Sequence, residues 1–195
     1  GSHDRTEEYT RKIQDACGSN VDYRIAISAG PGDCTRLTRE AAESGEEYRV
    51  YACGGDGTLN EVVTGAAGYA NVAVTAFSGG SGNDFVRMFS ETEPFRHLDR
   101  LLDAEEATFD LMRCNDRISL NICSVGLDAR IGTDVASYKR IPLLHGFRAY
   151  AASTVVNVVR GIHEHYTVQI GEEKLDGRFT MICVCNGRYY GGGFN

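Results

Sequence analysis

The chain has 195 residues, 42% of them hydrophobic and 24% charged, with a formal net charge of -7. That balance supplies a core and excludes a disordered chain; with no basic block or basic face it also excludes a nucleic-acid partner. No run approaches the ~20 apolar residues that span a bilayer, and no signal peptide is visible, so a cytoplasmic protein is expected, with its seven cysteines as reduced, buried thiols.

In chain order, Gly1-Ser2-His3 reads either as a cloning remnant or as the natural end of a loop. Residues 4–16 then predict a helix with Tyr9, Ile13 and Ala16 as its apolar stripe and Gly18 as its stop. Residues 23–28 read as a short buried strand, Gly30-Pro31-Gly32 as a turn, and Asp33 as the cap of a helix through 43. A strand at 48–53 runs into Gly54-Gly55-Asp56-Gly57 and a helix at 58–67. A second strand at 72–77 runs into Ser78-Gly79-Gly80-Ser81-Gly82-Asn83-Asp84 and a helix at 84–89. This alternation predicts an α/β fold: a parallel sheet with helices on both faces, its usual first strand missing. A charged helix is expected at 95–107. From 108 the pattern turns β-rich, with a hairpin about Asn115-Asp116, a helix at 147–160, and strands at 165–170 and 178–185. The expected organisation is therefore a nucleotide-binding α/β domain at 1–107 and an incomplete, sandwich-like β-rich domain at 108–195.

The two glycine turns follow the carboxyl ends of two parallel strands, where open α/β sheets bind ligands. Gly54, Gly55 and Gly57 suit a turn with φ > 0 and close backbone approach. Thr58-x-x-Glu61 has the form of a capping box, and the helix start favours an anion. Asp56 brings a carboxylate into that anion site. Beside a phosphate it needs either a bridging divalent cation or the task of taking a proton. The second turn offers backbone N–H groups, the Ser81 hydroxyl, and Asn83 and Asp84, either of which also suits a helix cap.

Several motifs are absent. The first turn lacks the P-loop lysine and the Gly-x-Gly-x-x-Gly spacing of a dinucleotide site, and no protein-kinase set occurs. His163 and His165 read as a solvated strand pair, and Cys183-x-Cys185 has no second pair to complete a zinc spacing.

The run from Gly54 to Val63 resembles the Gly-Gly-Asp-Gly-Thr-x-Asn-Glu-Val signature of the diacylglycerol kinase catalytic domain family, which groups bacterial diacylglycerol and related lipid kinases with sphingosine kinases. Gly80-Ser81-Gly82-Asn83-Asp84-Phe85 resembles its second turn, and Ser28-x-x-Pro31-Gly32-Asp33 its Thr-x-x-Pro-Gly-Asp turn. The segment from Asn121 through Gly126-Leu127-Asp128-Ala129 and the run from Asn186 to Gly193 are similar to two later family motifs. The first motif alone also admits NAD kinases and phosphofructokinases; the ordered set from 28 to 193 is specific.

The resemblance implies ATP- and Mg²⁺-dependent phosphorylation of a lipid hydroxyl, most simply that of diacylglycerol, by a cytoplasmic enzyme in peripheral contact with a membrane. By the resemblance Ser28, Gly54, Gly55, Asp56, Gly57, Thr58, Leu59, Asn60, Gly80, Ser81 and Gly82 contact ATP. Asp56 is the catalytic carboxylate and holds the metal, directly or through water, while Asn83 and Asp84 order the polar network. Lys139 and Arg140 are weaker candidates for the phosphates. Ser78 departs from the family's usual proline. The family's first strand and the C-terminal segment carrying its general base are expected outside these residues. NAD kinase and a non-catalytic nucleotide-binding module are the alternatives. Acyl pockets are generically apolar, so the residues do not select a lipid, nor do they specify an oligomeric state.

Overall fold

The computed structural model describes residues 5–19, 21–78, 83–138 and 147–191. They form two compact units, one running to Ile122 and taking up the chain again at Cys185, the other spanning Cys123–Val184.

In the first unit, β1 (Tyr48–Gly54) and β2 (Val72–Ser78) pair in parallel, with Tyr48 opposite Val72 and Gly54 opposite Ser78. Successive side chains of a strand point to opposite faces, and the two faces carry separate cores. Val50, Ala52, Val74 and Ala76 pack with Leu59 and Val62 of α3 (Asp56–Ala66). Tyr51, Cys53 and Phe77 pack with Tyr9, Ile13 and Cys17 of α1 (Thr6–Cys17) and with Leu98 and Leu101 of α4 (Leu98–Leu102). The expected parallel sheet with helices on both faces is thus present.

The helix α2 (Asp33–Glu43) lies against α3, and their backbones approach closely at Gly65. A Cβ there would stand 2.5 Å from the Thr35 carbonyl oxygen and 2.7 Å from the Thr38 Cβ. Thr35 Oγ1 donates to the Glu61 carbonyl at 2.9 Å and Arg39 donates to the Thr64 carbonyl at 3.0 Å. These bonds fix the two helices in register.

Several expectations need correction. Residues 23–28 form no strand: the segment has no ladder partner among the described residues, and Ile27 is 65% exposed. Its alternation is that of a strand, but a ladder needs a neighbour, and among the described residues β1 is bonded only to β2. The helix expected at 84–89 is a 3₁₀ turn, Val86–Met88, and the one expected at 95–107 shrinks to a 3₁₀ turn at Glu93–Arg96 followed by α4. Pro94 and the break at His97 interrupt the helix there, and the apolar spacing ends at Leu102. Around the 3₁₀ turn, Phe85, Phe89, Phe95 and Phe109 pack edge to face or tilted, with centroids 4.9–5.9 Å apart.

The hairpin at Asn115-Asp116 is present. β3 (Met112–Cys114) pairs antiparallel with β4 (Arg117–Ser119), and Asn115 takes φ 56°, a left-handed conformation that asparagine tolerates.

In the second unit, β5 (Ile122–Gly126) bonds to β8 (Met181–Cys185), and β6 (Glu164–Ile170) pairs antiparallel with β7 (Glu173–Phe179). The expected single strand 178–185 is broken at Thr180 between β7 and β8. An unexpected helix, α5 (Leu127–Tyr138), packs on α6 (Phe147–Val159). The pair is stitched by buried polar groups: Ser153 Oγ donates to the Ile131 carbonyl, and Asn157 Nδ2 donates to Asp134 at 2.9 Å. Asn157 is fully buried while Val155 and Val159 are exposed. That reversal of the usual polar-out pattern hid the packing face from sequence reading.

No disulfide joins the seven cysteines, and not all of them are buried. Burial pushes the Cys53 thiol up to about 11 and raises that of Cys17, whereas Cys114 and Cys185 are exposed. Native-state labelling at pH 8 with a thiol reagent, read by peptide mass spectrometry, is expected to modify Cys114 and Cys185 rapidly and to leave Cys17 and Cys53 unmodified until denaturant is added. Gly65→Ala is expected to cost roughly 1–3 kcal/mol through overpacking against the α2 backbone, measured as a lower urea midpoint at unchanged m-value. An unchanged midpoint shows that α2 moves away without cost.

Candidate functional site

The paired ends of β1 and β2 set the site. Because Gly54 stands opposite Ser78, both strands release the chain at one edge of the sheet. The second turn's Gly80, Ser81 and Gly82 lie outside the described residues, as do Lys139 and Arg140.

The first turn differs from the sequence expectation in two respects. Its helix begins at Asp56, not at Thr58, with Gly55 as the N-cap in extended conformation, φ −102°. Gly54, Gly55 and Gly57 do not adopt positive φ. The glycine at 54 is required for space instead: a Cβ there would lie 2.4 Å from Thr58 Oγ1. Thr58 therefore folds back over the end of β1. Among the described residues nothing lies within 4 Å of the Cβ position of Gly57, so none of them covers the backbone of the first turn of α3 there.

The capping box is also absent, since no side chain caps α3. Glu61 Oε1 instead accepts from the Gly32 N–H at 2.9 Å, across to the Pro31-Gly32-Asp33 turn. Gly32 is left-handed, φ 84°, and is itself the N-cap of α2. Nor does Asp33 cap that helix: its Oδ2 accepts from the Ala29 N–H at 2.7 Å, and its Oδ1 accepts from Arg36 Nε at 2.9 Å. The reason is the left-handed Gly32, which turns residues 29–32 back beside the first turn of α2. The carboxylates of Asp33 and Glu61 thus hold the 28–33 loop from two sides. Ser28 is exposed on that loop, in hydrogen-bonding contact with the Cys34 thiol.

Asp56 sits at the first position of α3, and its Oδ1 accepts from the Phe85 N–H at 3.4 Å. That bond ties the first glycine turn to the exit of the second. Asn83 takes φ 55° and Asp84 is buried, 4.0 Å from Arg87 Nε. The 3₁₀ turn that follows has Phe85, not Asn83 or Asp84, as its N-cap residue. Leu59 is buried in the core against Ala52 and Val86, so its side chain serves packing. Asn60 directs both ends of its amide into the protein: Nδ2 donates to the Ile118 carbonyl at 3.3 Å and Oδ1 accepts from the Leu120 N–H at 2.9 Å.

Sequence reasoning missed the roles of Phe85, Asn121 and Asn186. Asn186 Nδ2 donates to the Asp110 and Leu120 carbonyls, at 2.6 and 2.9 Å. Asn121 Nδ2 donates to the Tyr189 carbonyl at 2.6 Å. The available signal was positional: all three lie inside the quoted motifs.

Among the described residues no three His, Cys, Asp or Glu side chains converge on a metal position. This arrangement still fits a magnesium ion of the kind that keeps its waters and is held by one or two carboxylates together with substrate phosphates, with Asp56 as the carboxylate.

The Ala29 N–H, and after it Arg36, holds the Asp33 carboxyl below its usual range. A lowered folded pKa contributes stability that is complete above the unfolded value, about 3.9 for aspartate, and is lost as pH falls through the folded value. Exchange of the Ala29 amide is therefore expected to speed up, relative to intrinsic exchange, only on acidification below about pH 4. Asp33→Asn should remove that dependence, and a variant that keeps it shows that another group holds the loop.

Comparison with known proteins gives this geometry a family. The diacylglycerol kinase catalytic domain model matches residues 1–114. A protein of Staphylococcus carnosus (strain TM300), named "Putative lipid kinase", is 29% identical over 178 residues, 88% of this chain and 57% of that protein. A "Putative lipid kinase" of Staphylococcus haemolyticus (strain JCSC1435) is 29% identical over 191 residues, 95% of this chain and 60% of its own length. The chain thus spans about three fifths of the length of these curated relatives. Among solved structures, "a putative diacylglycerol kinase from Bacillus anthracis str. Sterne" superposes with a TM-score of 0.72 at 22% identity, over 98% of this chain and 64% of the other, a likeness of fold. With its family model covering more than half of the residues, the chain belongs to the diacylglycerol kinase catalytic domain family.

Proposed function

We propose that the protein of which this chain is part transfers the γ-phosphoryl group of ATP to the hydroxyl of a membrane lipid, diacylglycerol first among them, in peripheral contact with the membrane. The observation that carries this reading is the level ending of β1 and β2, which sets Asp56 at the open N-terminus of α3 with its carboxylate tied to Phe85 of the second turn. The proposed division of labour puts the nucleotide on the α/β part, residues 1–107, and the lipid with the β-rich part from 108. No helix among the described residues is long and apolar enough to cross a membrane.

In the transfer, the bond from the γ-phosphorus to its bridging oxygen breaks and a bond to the lipid oxygen forms, while the hydroxyl proton leaves to a base. Such chemistry needs positioning and charge neutralisation more than covalent help. The open backbone about Gly57 and the α3 N-terminus bind phosphate oxygens. Ser28 and the second turn, Gly80 to Asp84, contribute further contacts. Magnesium, when bound, neutralises charge on the phosphates. Asp56 holds it and orients the phosphates, and is not the sole base.

The test is phosphate transfer from labelled ATP by the full-length protein to a panel of diacylglycerol, a sphingoid base and NAD. Label in a lipid supports the proposal; label only in NAD replaces it with an NAD kinase, and ATP binding without transfer replaces it with a nucleotide-binding module. Asp56→Asn is expected to lower kcat by about 10²–10³, the scale on which loss of one preorganised electrostatic group acts, with an unchanged thermal melt. Retained activity removes Asp56 from the mechanism.

A further inference from the structure

On the basis of the function proposed above, we infer that Asn60 is a positioning residue that locks Asp56 to the 118–121 loop and to the chain returning at 186–189. Asn60 lies four residues after Asp56, so the two side chains leave the same face of α3. Both ends of the Asn60 amide are engaged by backbone, at Ile118 and at Leu120. Leu120 is buried, and its N–H has Asn60 as its partner. Its carbonyl accepts from Asn186 Nδ2. The next residue, Asn121, accepts at its carbonyl from the N–H groups of Asn186 and Gly187, at 2.9 and 3.1 Å.

The contacts then close on themselves. A Cβ at Gly187 would lie 1.7 Å from Asn121 Oδ1 and 2.9 Å from Met88 Sδ. The returning chain is therefore pressed against the 3₁₀ turn Val86–Met88, which follows the residue whose N–H holds Asp56. The ring runs from Asp56 along α3 to Asn60, through Leu120 to Asn186 and Gly187, across to Met88, and back through Phe85 to Asp56. All of it lies within one compact unit. A carboxylate inside such a ring has its position set from two directions. Asn60 is the member that joins the catalytic helix to the rest, because its amide supplies both a donor and an acceptor to the loop. This positioning role stands against the nucleotide contact that the resemblance implies for Asn60, and the experiment separates the two.

The test compares wild type, Asn60→Ala and Asn60→Asp in the full-length protein, by amide exchange and by steady-state transfer from labelled ATP to diacylglycerol. With Asn60→Ala, exchange at both Leu120 and Phe85 is expected to rise about tenfold or more, the factor expected for loss of one part-buried hydrogen bond. The kcat is expected to fall by a similar factor, about tenfold, with KM for ATP held within about twofold, the pattern of an interaction lost only in the transition state. Asn60→Asp keeps the acceptor for Leu120 and is expected to restore that amide's protection and most of kcat; it also carries the test should the alanine variant not fold. A raised KM for ATP at unchanged kcat makes Asn60 a nucleotide contact and overturns the inference. Faster exchange at Leu120 alone, with Phe85 and kcat untouched, overturns it as well, as does an aspartate variant with Leu120 protected but kcat as low as that of alanine. A wild-type protein that labels no lipid removes the proposed function, and the exchange at Phe85 then decides the positioning role by itself.

Discussion

The seven-residue parallel register of β1 and β2 is the constraint from which the first unit follows. Pairing Tyr48 with Val72 commits Gly54 to stand opposite Ser78, and both chains must then turn at one edge. The same register sorts the side chains. Val50, Ala52, Val74 and Ala76 go to the α3 face, and Tyr51, Cys53 and Phe77 to the α1 and α4 face. A slip of one residue would exchange the faces and send Ala52 and Phe77 into cores shaped for the other. It would also part Gly54 from Ser78. Burial of the core and alignment of the site therefore depend on one pairing.

Within the turn, glycine acts through space and not through torsion. Gly54 makes room for Thr58, which lies over the strand end and lets α3 begin at Asp56. An earlier helix start moves the carboxylate from a loop to the first helical position, where backbone geometry fixes it. The bond from the Phe85 N–H then joins that position to the other strand's exit. A carboxylate set at a helix start and bonded to one backbone N–H is partly preorganised, and preorganisation is the condition under which electrostatic stabilisation is most effective.

The parts legible in the sequence are those in which a local pattern decides the structure. The parallel strands, the stripe of α1 and the Asn115 turn all declare themselves through periodicity or turn chemistry. The 23–28 strand failed because a strand is a pairing, and alternation in Tyr23 to Ile27 says nothing of a partner. Helix α5 was overlooked because Leu127 to Tyr138 has little apolar contrast, and its partner α6 buries Ser153 and Asn157 while exposing Val155 and Val159. In the site, the partners that spacing suggests are not the ones the side chains take. Thr58 and Glu61 have capping-box spacing, yet Glu61 bonds 29 residues away to Gly32. Asn60 likewise reaches residues 58 and 60 positions on. Spacing reports which side chains are available, and only tertiary contact decides among the N–H groups that compete for them.

The charge balance around the site now bears on the chemistry. The chain carries a net charge of -7, and the described cations near the first turn already have partners. Arg36 is paired with Asp33 and Glu40, Arg39 bonds the Thr64 carbonyl, and Arg87 stands beside Asp84. Glu61 is engaged with Gly32, which leaves Asp56 as a negative charge at the edge where the proposed polyphosphate would lie. A helix N-terminus offsets only about half an elementary charge. Two further anionic groups brought beside Asp56 cannot be balanced by that alone. Under the proposed function, a divalent cation held by Asp56 would resolve that repulsion without any lysine in the turn. In the proposed function, the absence of a P-loop lysine and the presence of Asp56 would then be two sides of one electrostatic solution, with the metal supplying the positive charge and the α3 backbone the direction.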